Sequence, residues 1–325
     1  MIYLRKWGAL FALLLCPVGA LAQSDLPVIR AATLQIGTVN WELETITREG
    51  FDVDHGFRLE LQPYADNGAT RVAVAGGAAD MFVADWIWVA RQRADGQDYV
   101  FIPYSTAVGG LVVPADSPVQ SLADLAGGKI GIAGGPVDKS WLILQAYAQK
   151  NHDMDLAAET EQVFGAPPLI AKAATGGDLD GAINFWHWGA KMQAAGMRTL
   201  LSVEDAAIDL GLDPQTPLLG YVVKGDMLRD NPDLVAGMAS ASRAAKEILA
   251  TDDAEWDRLR DRMNAGDDVQ FAALIDGYRA GIPDDAPIDE DAAARMLTLM
   301  YDLGGAELLG DADTLPDGVF VQPGS

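Results

Sequence analysis

The stretch SPVQSLADLAGGKIGIAGG, residues 117–135, holds a helical turn (Leu122–Leu125), a short apolar strand (Lys129–Ala133) and a glycine-rich turn that leads into a helix at 139–150. It restarts an alternation that the chain has already run once. Upstream, strands read at 28–38, 57–63, 80–83, 100–104 and 108–113, and helices at 41–48, 69–75 and 86–93. Downstream, strands follow at 162–164, 181–185 and 218–224, with helices at 168–175 and 189–195. Short apolar runs separated by helical segments predict parallel sheets covered on both faces. Two such runs predict two lobes. The chain would cross between them near 108–114 and again near 217–223, where extended, glycine- or proline-flanked segments stand.

Beyond Pro232 the pattern is helical. Segments 234–249, 254–263, 269–280 and 292–303 carry apolar residues at helical spacing, and three of them are preceded by Asp252-Asp253, Asp267-Asp268 and Asp289-Glu290-Asp291. Carboxylates at these places favour the positive end of a helix dipole, which explains much of the acidity without any metal site. The four helices differ from one another, and the chain shows no internal repeat.

The N-terminus reads as a secretory leader. Arg5 and Lys6 precede an almost wholly apolar run, and Ala20-Leu21-Ala22 offers small residues at the two positions a signal peptidase inspects. The run is too short for a membrane span. Residues 1–22 are therefore expected to be removed, and with them Cys16, the only cysteine of the 325 residues. A mature chain without cysteine has no disulfide, thiol chemistry or cysteine-held metal. The formal net charge is −24, and the leader contains no acidic residue. Such a surface repels phosphate backbones and anionic membranes, so nucleic acid is not an expected partner.

Motifs for catalysis are sparse. Gly128, Gly131 and Gly134 lack the dinucleotide-binding spacing, Gly128-Lys129 lacks the hydroxyl residue of a phosphate loop, and no G-x-S-x-G occurs. The acidic run 311–318 misses the calcium-loop pattern. The histidines, His55, His152 and His187, form no i,i+4 pair. Groups suited to binding are richer, because ligands of open α/β sheets sit beyond the carboxyl ends of the strands. Those ends carry Asn40 and Trp41, then Asp85, Trp86 and Trp88, then Lys139 and Ser140 after the glycine turn, then Trp186, His187 and Trp188. Five of eight tryptophans stand there, which suggests an aromatic-lined cleft between the lobes.

These residues resemble the periplasmic substrate-binding proteins of nitrate, sulfonate and taurine importers, with their relatives that bind thiamine-pyrimidine precursors. The resemblance is carried by GTVNW at 37–41, GGAADMFVAD at 76–85, VGGLVV at 108–113, SPVQSLADLAGGKIGIAGG at 117–135, GGDLDGAI at 176–183 and NPDLVAGMASASRAAKEIL at 231–249. It implies an α/β, two-lobed type II periplasmic-binding fold with a hinge of two crossover strands and a helical C-terminal segment. After the leader, 23–110 would be the first lobe, 111–218 the second, and 219–325 a return to the first. The implied role is capture of a small organic molecule or oxyanion by a monomer that hands it to the membrane permease of an ABC importer, with no cofactor and no enzymatic step. Carried over position by position, the ligand contacts fall on Asn40, Trp41, Asp85, Trp86, Lys139, Ser140, Trp186 and His187. Trp86 and Trp186 would clamp the ligand, one from each lobe. Lys139 is the lone strong cation of this set and Asp85 would repel an anion, so a neutral or cationic ligand is as well suited as an oxyanion. Two other readings are a hydrolase or lyase using an Asp85–His187 pair and a carboxylate-rich metal-binding protein.

Overall fold

The computed structural model describes residues 26–321. The leader assigned to residues 1–22 lies outside the described residues. The first run comprises β1 (Val28–Leu34), α1 (Val39–Glu49), α2 (Phe51–Asp54), β2 (Arg58–Tyr64), α3 (Asn67–Ala75), β3 (Met81–Asp85), α4 (Trp86–Ala94) and β4 (Tyr99–Ser105). After a short crossing come β5 (Gly110–Pro114), a 3-10 turn (Leu122–Leu125), β6 (Lys129–Ala133), α5 (Lys139–His152), α6 (Leu156–Glu159), β7 (Glu161–Gly165), α7 (Pro167–Thr175), β8 (Gly181–Ile183), α8 (Trp186–Ala194), β9 (Met197–Ser202) and α9 (Val203–Asp209). The chain then returns through β10 (Leu219–Lys224) and ends in α10 (Gly225–Asp230), α11 (Pro232–Thr251), α12 (Asp253–Met263), α13 (Asp268–Ala280) and α14 (Glu290–Leu309).

Two five-stranded sheets result, ordered β2-β1-β3-β10-β4 and β7-β6-β8-β5-β9. They are mixed, which corrects the expectation of purely parallel sheets. β1 runs parallel to β2 and β3, and β6 parallel to β7 and β8, whereas β10 and β5 run against their neighbours. The reason is where these two strands come from. Each arrives directly from the other sheet, so it enters at the carboxyl ends of the parallel strands and must run back along them. Leu219 accordingly pairs with Asp85 at the end of β3, and Leu111 with Ile183 at the end of β8.

The first crossing is short. Residues 106–109 join the sheets, and both ends are held: Thr106 N–H donates to Gly281 O at 2.9 Å, and Gly109 lies so close to the Asn184 carbonyl that a Cβ would sit 2.1 Å from it. Only glycine fits there. The second crossing runs from α9 to β10, and the strand β9 and helix α9 that precede it were not anticipated from the sequence.

The C-terminal helices do more than complete one lobe. α13 packs on α8 of the second sheet's layer, while α14 packs on both α4 and α5. Trp86, Val89, Ile130, Ile132, Leu144, Leu297 and Met300 belong to one continuous buried apolar core that runs through both lobes. No helix among the described residues is long and apolar enough to cross a membrane.

Candidate functional site

The carboxyl ends of the two sheets face each other, and four side chains bridge them. Asp85 caps α4, its Oδ1 accepting from Trp88 N–H at 2.8 Å. Its Oδ2 accepts from Lys139 Nζ, on the first residue of α5 in the other lobe, at 3.0 Å. Burial alone would push the Asp85 carboxyl up, but the Lys139 ammonium and these hydrogen bonds outweigh it and hold it below the usual carboxylate range. The second bridge is aromatic. Trp41 of α1 meets Trp186 of α8 edge to face at 6.0 Å, a geometry favoured by the ring quadrupoles. Trp256 at 5.9 Å and Tyr278 at 6.1 Å close the stack from the first lobe. Gly277 lets α13 approach, since a Cβ there would come within 2.8 Å of the Trp186 ring.

Beside these bridges lies a cavity of about 520 Å³ whose walls come from both lobes and both crossings, including Thr106, Gly109, Lys139, Trp186, Ser202 and Gln215. A second recess of about 560 Å³ lies between α11, residues 282–289 and the second crossing at 213–217. It touches neither β5 to α8 nor the bridges, and an Arg243–Asp285 ion pair at 2.7 Å lies along it. The interlobe cavity is therefore the better candidate despite its slightly smaller size.

The residues singled out in the sequence divide accordingly. Asp85, Lys139, Trp41 and Trp186 come together. Trp86 does not join them: it is fully buried, 5.6 Å from Phe320, and its Nε1 has no hydrogen-bond partner among the described residues. The clamp expected of Trp86 is thus corrected, because residues 319–321 run back beside β4 and give this ring an apolar partner. Asn40 is buried and its Nδ2 donates to Leu34 O at 2.8 Å, closing the turn between β1 and α1. Ser140 is half-buried in the first turn of α5. His187 is half-buried among Phe185, Trp186 and Trp188. Burial, with the nearby Lys191 adding, lowers its pKa to about 4, so it is neutral at ordinary pH. Trp186 and His187 open helix α8 rather than standing in a loop after β8.

The pairing needed for hydrolysis is not assembled, since Asp85 is engaged by Lys139 and the charged neighbour of His187 is Lys191. Among the described residues, no group of three or more His, Cys, Asp or Glu side chains is placed to hold a metal ion. Sequence reasoning missed Tyr278 and Gly277, whose approach to the tryptophans joins distant segments and leaves no local signal.

Residues 47–255 match the family model described as NMT1/THI5 like. The chain belongs to the NMT1/THI5-like family. No curated protein sequence matches it. Among solved structures, the periplasmic aliphatic sulphonate binding protein SsuA of Escherichia coli is similar with a TM-score of 0.68 and 17% identity, over 90% of this chain and 95% of that one. The alkanesulfonate-binding protein SsuA of Xanthomonas axonopodis pv. citri, bound to MOPS, gives 0.67 and 15%, over 90% and 98%. DSZB in complex with biphenyl-2-sulfinic acid is more distant in shape, with a TM-score of 0.54 at 18% identity over 90% and 97%. At these identities the likeness is one of fold, and the fold of this NMT1/THI5-like chain is the two-lobed type II periplasmic-binding fold with C-terminal helices.

Proposed function

We propose that this protein is the solute-capturing component of an ABC importer. It takes a small organic molecule into the space between its lobes and hands it to a membrane permease. The observation that carries the reading is the cavity of about 520 Å³ walled by both lobes and both crossings, beside an ion pair and an aromatic pair that each span the lobes. A ligand that touches both lobes favours their closed arrangement over any open one by its differential affinity, which is what a capture device requires. The division 23–110, 111–218 and 219–325, export through the leader, and action as a monomer belong to the same reading. The segments 106–109 and 213–218 are its bending points, and Lys139, Asp85, Trp41 and Trp186 are its contact residues. Small-angle scattering and thermal unfolding with candidate solutes test it together. A true ligand at a hundred times its Kd adds about 2.7 kcal/mol to stability and compacts the particle. Stabilisation of both wild type and a Trp186→Ala variant to the same extent, with no change in particle size, would overturn it.

A further inference from the structure

The interlobe cavity has an electrostatic character that its fold relatives' names do not suggest. Lys139 is the only basic residue lining it among the described residues, and its ammonium is already bonded to Asp85. The acidic residues lining it are Glu204, Asp213 and Asp276. Neither Glu204 nor Asp276 has a basic partner among the described residues, while Asp213 is turned to Gln215 N–H and the Thr216 hydroxyl.

Helix N-termini would be the other attraction for an anion, and several end at this junction. The protein's own side chains already cap three of them. Asp85 caps α4, and Asp138 caps α5 by accepting from Trp141 N–H at 3.1 Å. Ser202 caps α9, with Glu204 and Asp205 in its first turn, whereas α1 has no side-chain cap and its Glu42 is taken up by Tyr221, Ser242, Tyr278 and Lys246. α8 has no side-chain cap; its amides at Trp188 and Gly189 donate to Phe185 O at 2.9 Å, which leaves those of Trp186 and His187 as first-turn donors, and the neighbouring Lys191 ammonium donates to Asn264 O at 2.7 Å. An incoming anion that needs a positive partner from the cavity wall would have to take Lys139 from Asp85 and leave a largely buried carboxylate without a counter-charge. A cation meets no such obstacle. It finds unpaired carboxylates on the wall and the ring of Trp186 beside Asp276 and Gly277, and a cation above an indole face is attracted by the ring quadrupole.

We propose, building on the capture role above, that the solute is an organic cation: an amine or ammonium nitrogen answered by the acidic lining residues, Asp276 of α13 and Glu204 of α9, with an apolar or aromatic body against Trp186. Asp85 and Lys139 then act as a specificity-determining pair that excludes anions.

Calorimetry on the mature chain at low salt tests this with matched probes: benzylamine and benzyltrimethylammonium on one side, benzenesulfonate, taurine and nitrate on the other. The ammonium probes should bind saturably at one site, and the anions should not. Asp276→Asn and Glu204→Gln, both at exposed positions and so harmless to the fold, should each weaken ammonium binding by about tenfold. Lys139→Gln, which removes the like charge from the cavity wall and releases Asp85, should strengthen ammonium binding. Binding of benzenesulfonate or nitrate that disappears in Lys139→Gln overturns the cation assignment while leaving the capture role standing. Ammonium binding that ignores both acidic substitutions overturns it equally. If no probe binds, the capture role in this cavity falls with it.

Discussion

The two lobes are built on the same sheet plan and filled in different ways. In the first lobe the carboxylate of Glu42 is fully buried and accepts hydrogen bonds from Tyr221 Oη at 2.7 Å, Ser242 Oγ at 2.5 Å, Tyr278 Oη at 2.7 Å and Lys246 Nζ at 2.7 Å. These donors come from β10, α11 and α13, so one side chain of α1 ties together elements that are far apart in sequence. Burial lowers the Lys246 ammonium's pKa, and Glu42 counters it, while burial pushes the tyrosine hydroxyls well up. In the second lobe, among the described residues from β5 to β9, Asn184 is the one buried polar side chain, and it donates to Pro167 O at 2.9 Å. The rest is Ile, Leu, Val, Met, Ala and Trp141. Directional bonds specify one arrangement, whereas apolar packing tolerates substitution as long as volume is kept. The first lobe therefore holds Trp41 and Tyr278 in a fixed place, and the second brings Trp186 and Lys139 to them.

This contrast predicts a graded set of losses. The largest belongs to Glu42→Ala, which leaves Lys246 buried without a partner and should cost about 3–5 kcal/mol in denaturant unfolding; a loss below about 1 kcal/mol would remove the distinction between the lobes. Trp86→Ala comes next, at about 3–5 kcal/mol for a fully buried ring. Trp186→Ala should cost less, with about 0.5–1.5 kcal/mol from the lost aromatic pair, and should show itself mainly in ligand affinity. Equal losses for the two tryptophans would return Trp186 to a purely structural role. In the second lobe, Ile132→Val should cost only about 0.5–1.5 kcal/mol because the volume nearly persists.

The last effect concerns pH. The folded pKa of His187 is about 4, below its ordinary value of 6.5, so in acid the unfolded chain takes up this proton more readily than the folded one. Stability should then fall as pH drops from about 6.5 to 4, and His187→Asn should flatten the stability curve in that window. An unchanged slope would mean that the ring is better solvated than its aromatic surroundings imply.

What could be read in the sequence was local. The turn Leu122–Leu125, the strand Lys129–Ala133 and the four C-terminal helices are written in periodicity and acidic caps, and they stand where expected to within a few residues. The strand Met197–Ser202 was not legible, because MRTLLS neither alternates strictly nor forms a long apolar run. Direction of strands was also hidden, since nothing in LLGYVVK tells that β10 enters from the cleft end. The candidate site was half legible. Lys139 and Trp186 follow from strand ends, but the burial of Trp86 depends on Phe320, and the Glu42 bonds on Tyr278, contacts between segments that share no local pattern.

The packing of α13 on α8 and of α14 on α4 and α5 has a temporal consequence. In the capture role, opening would have to draw these helices apart and wet Met296 and Met300, which stand on the cavity wall and are buried in the core. That work is the same whatever molecule lies inside. Residence times of different solutes should then share one slow component set by the helices, to which each solute adds the loss of its own contacts with both lobes.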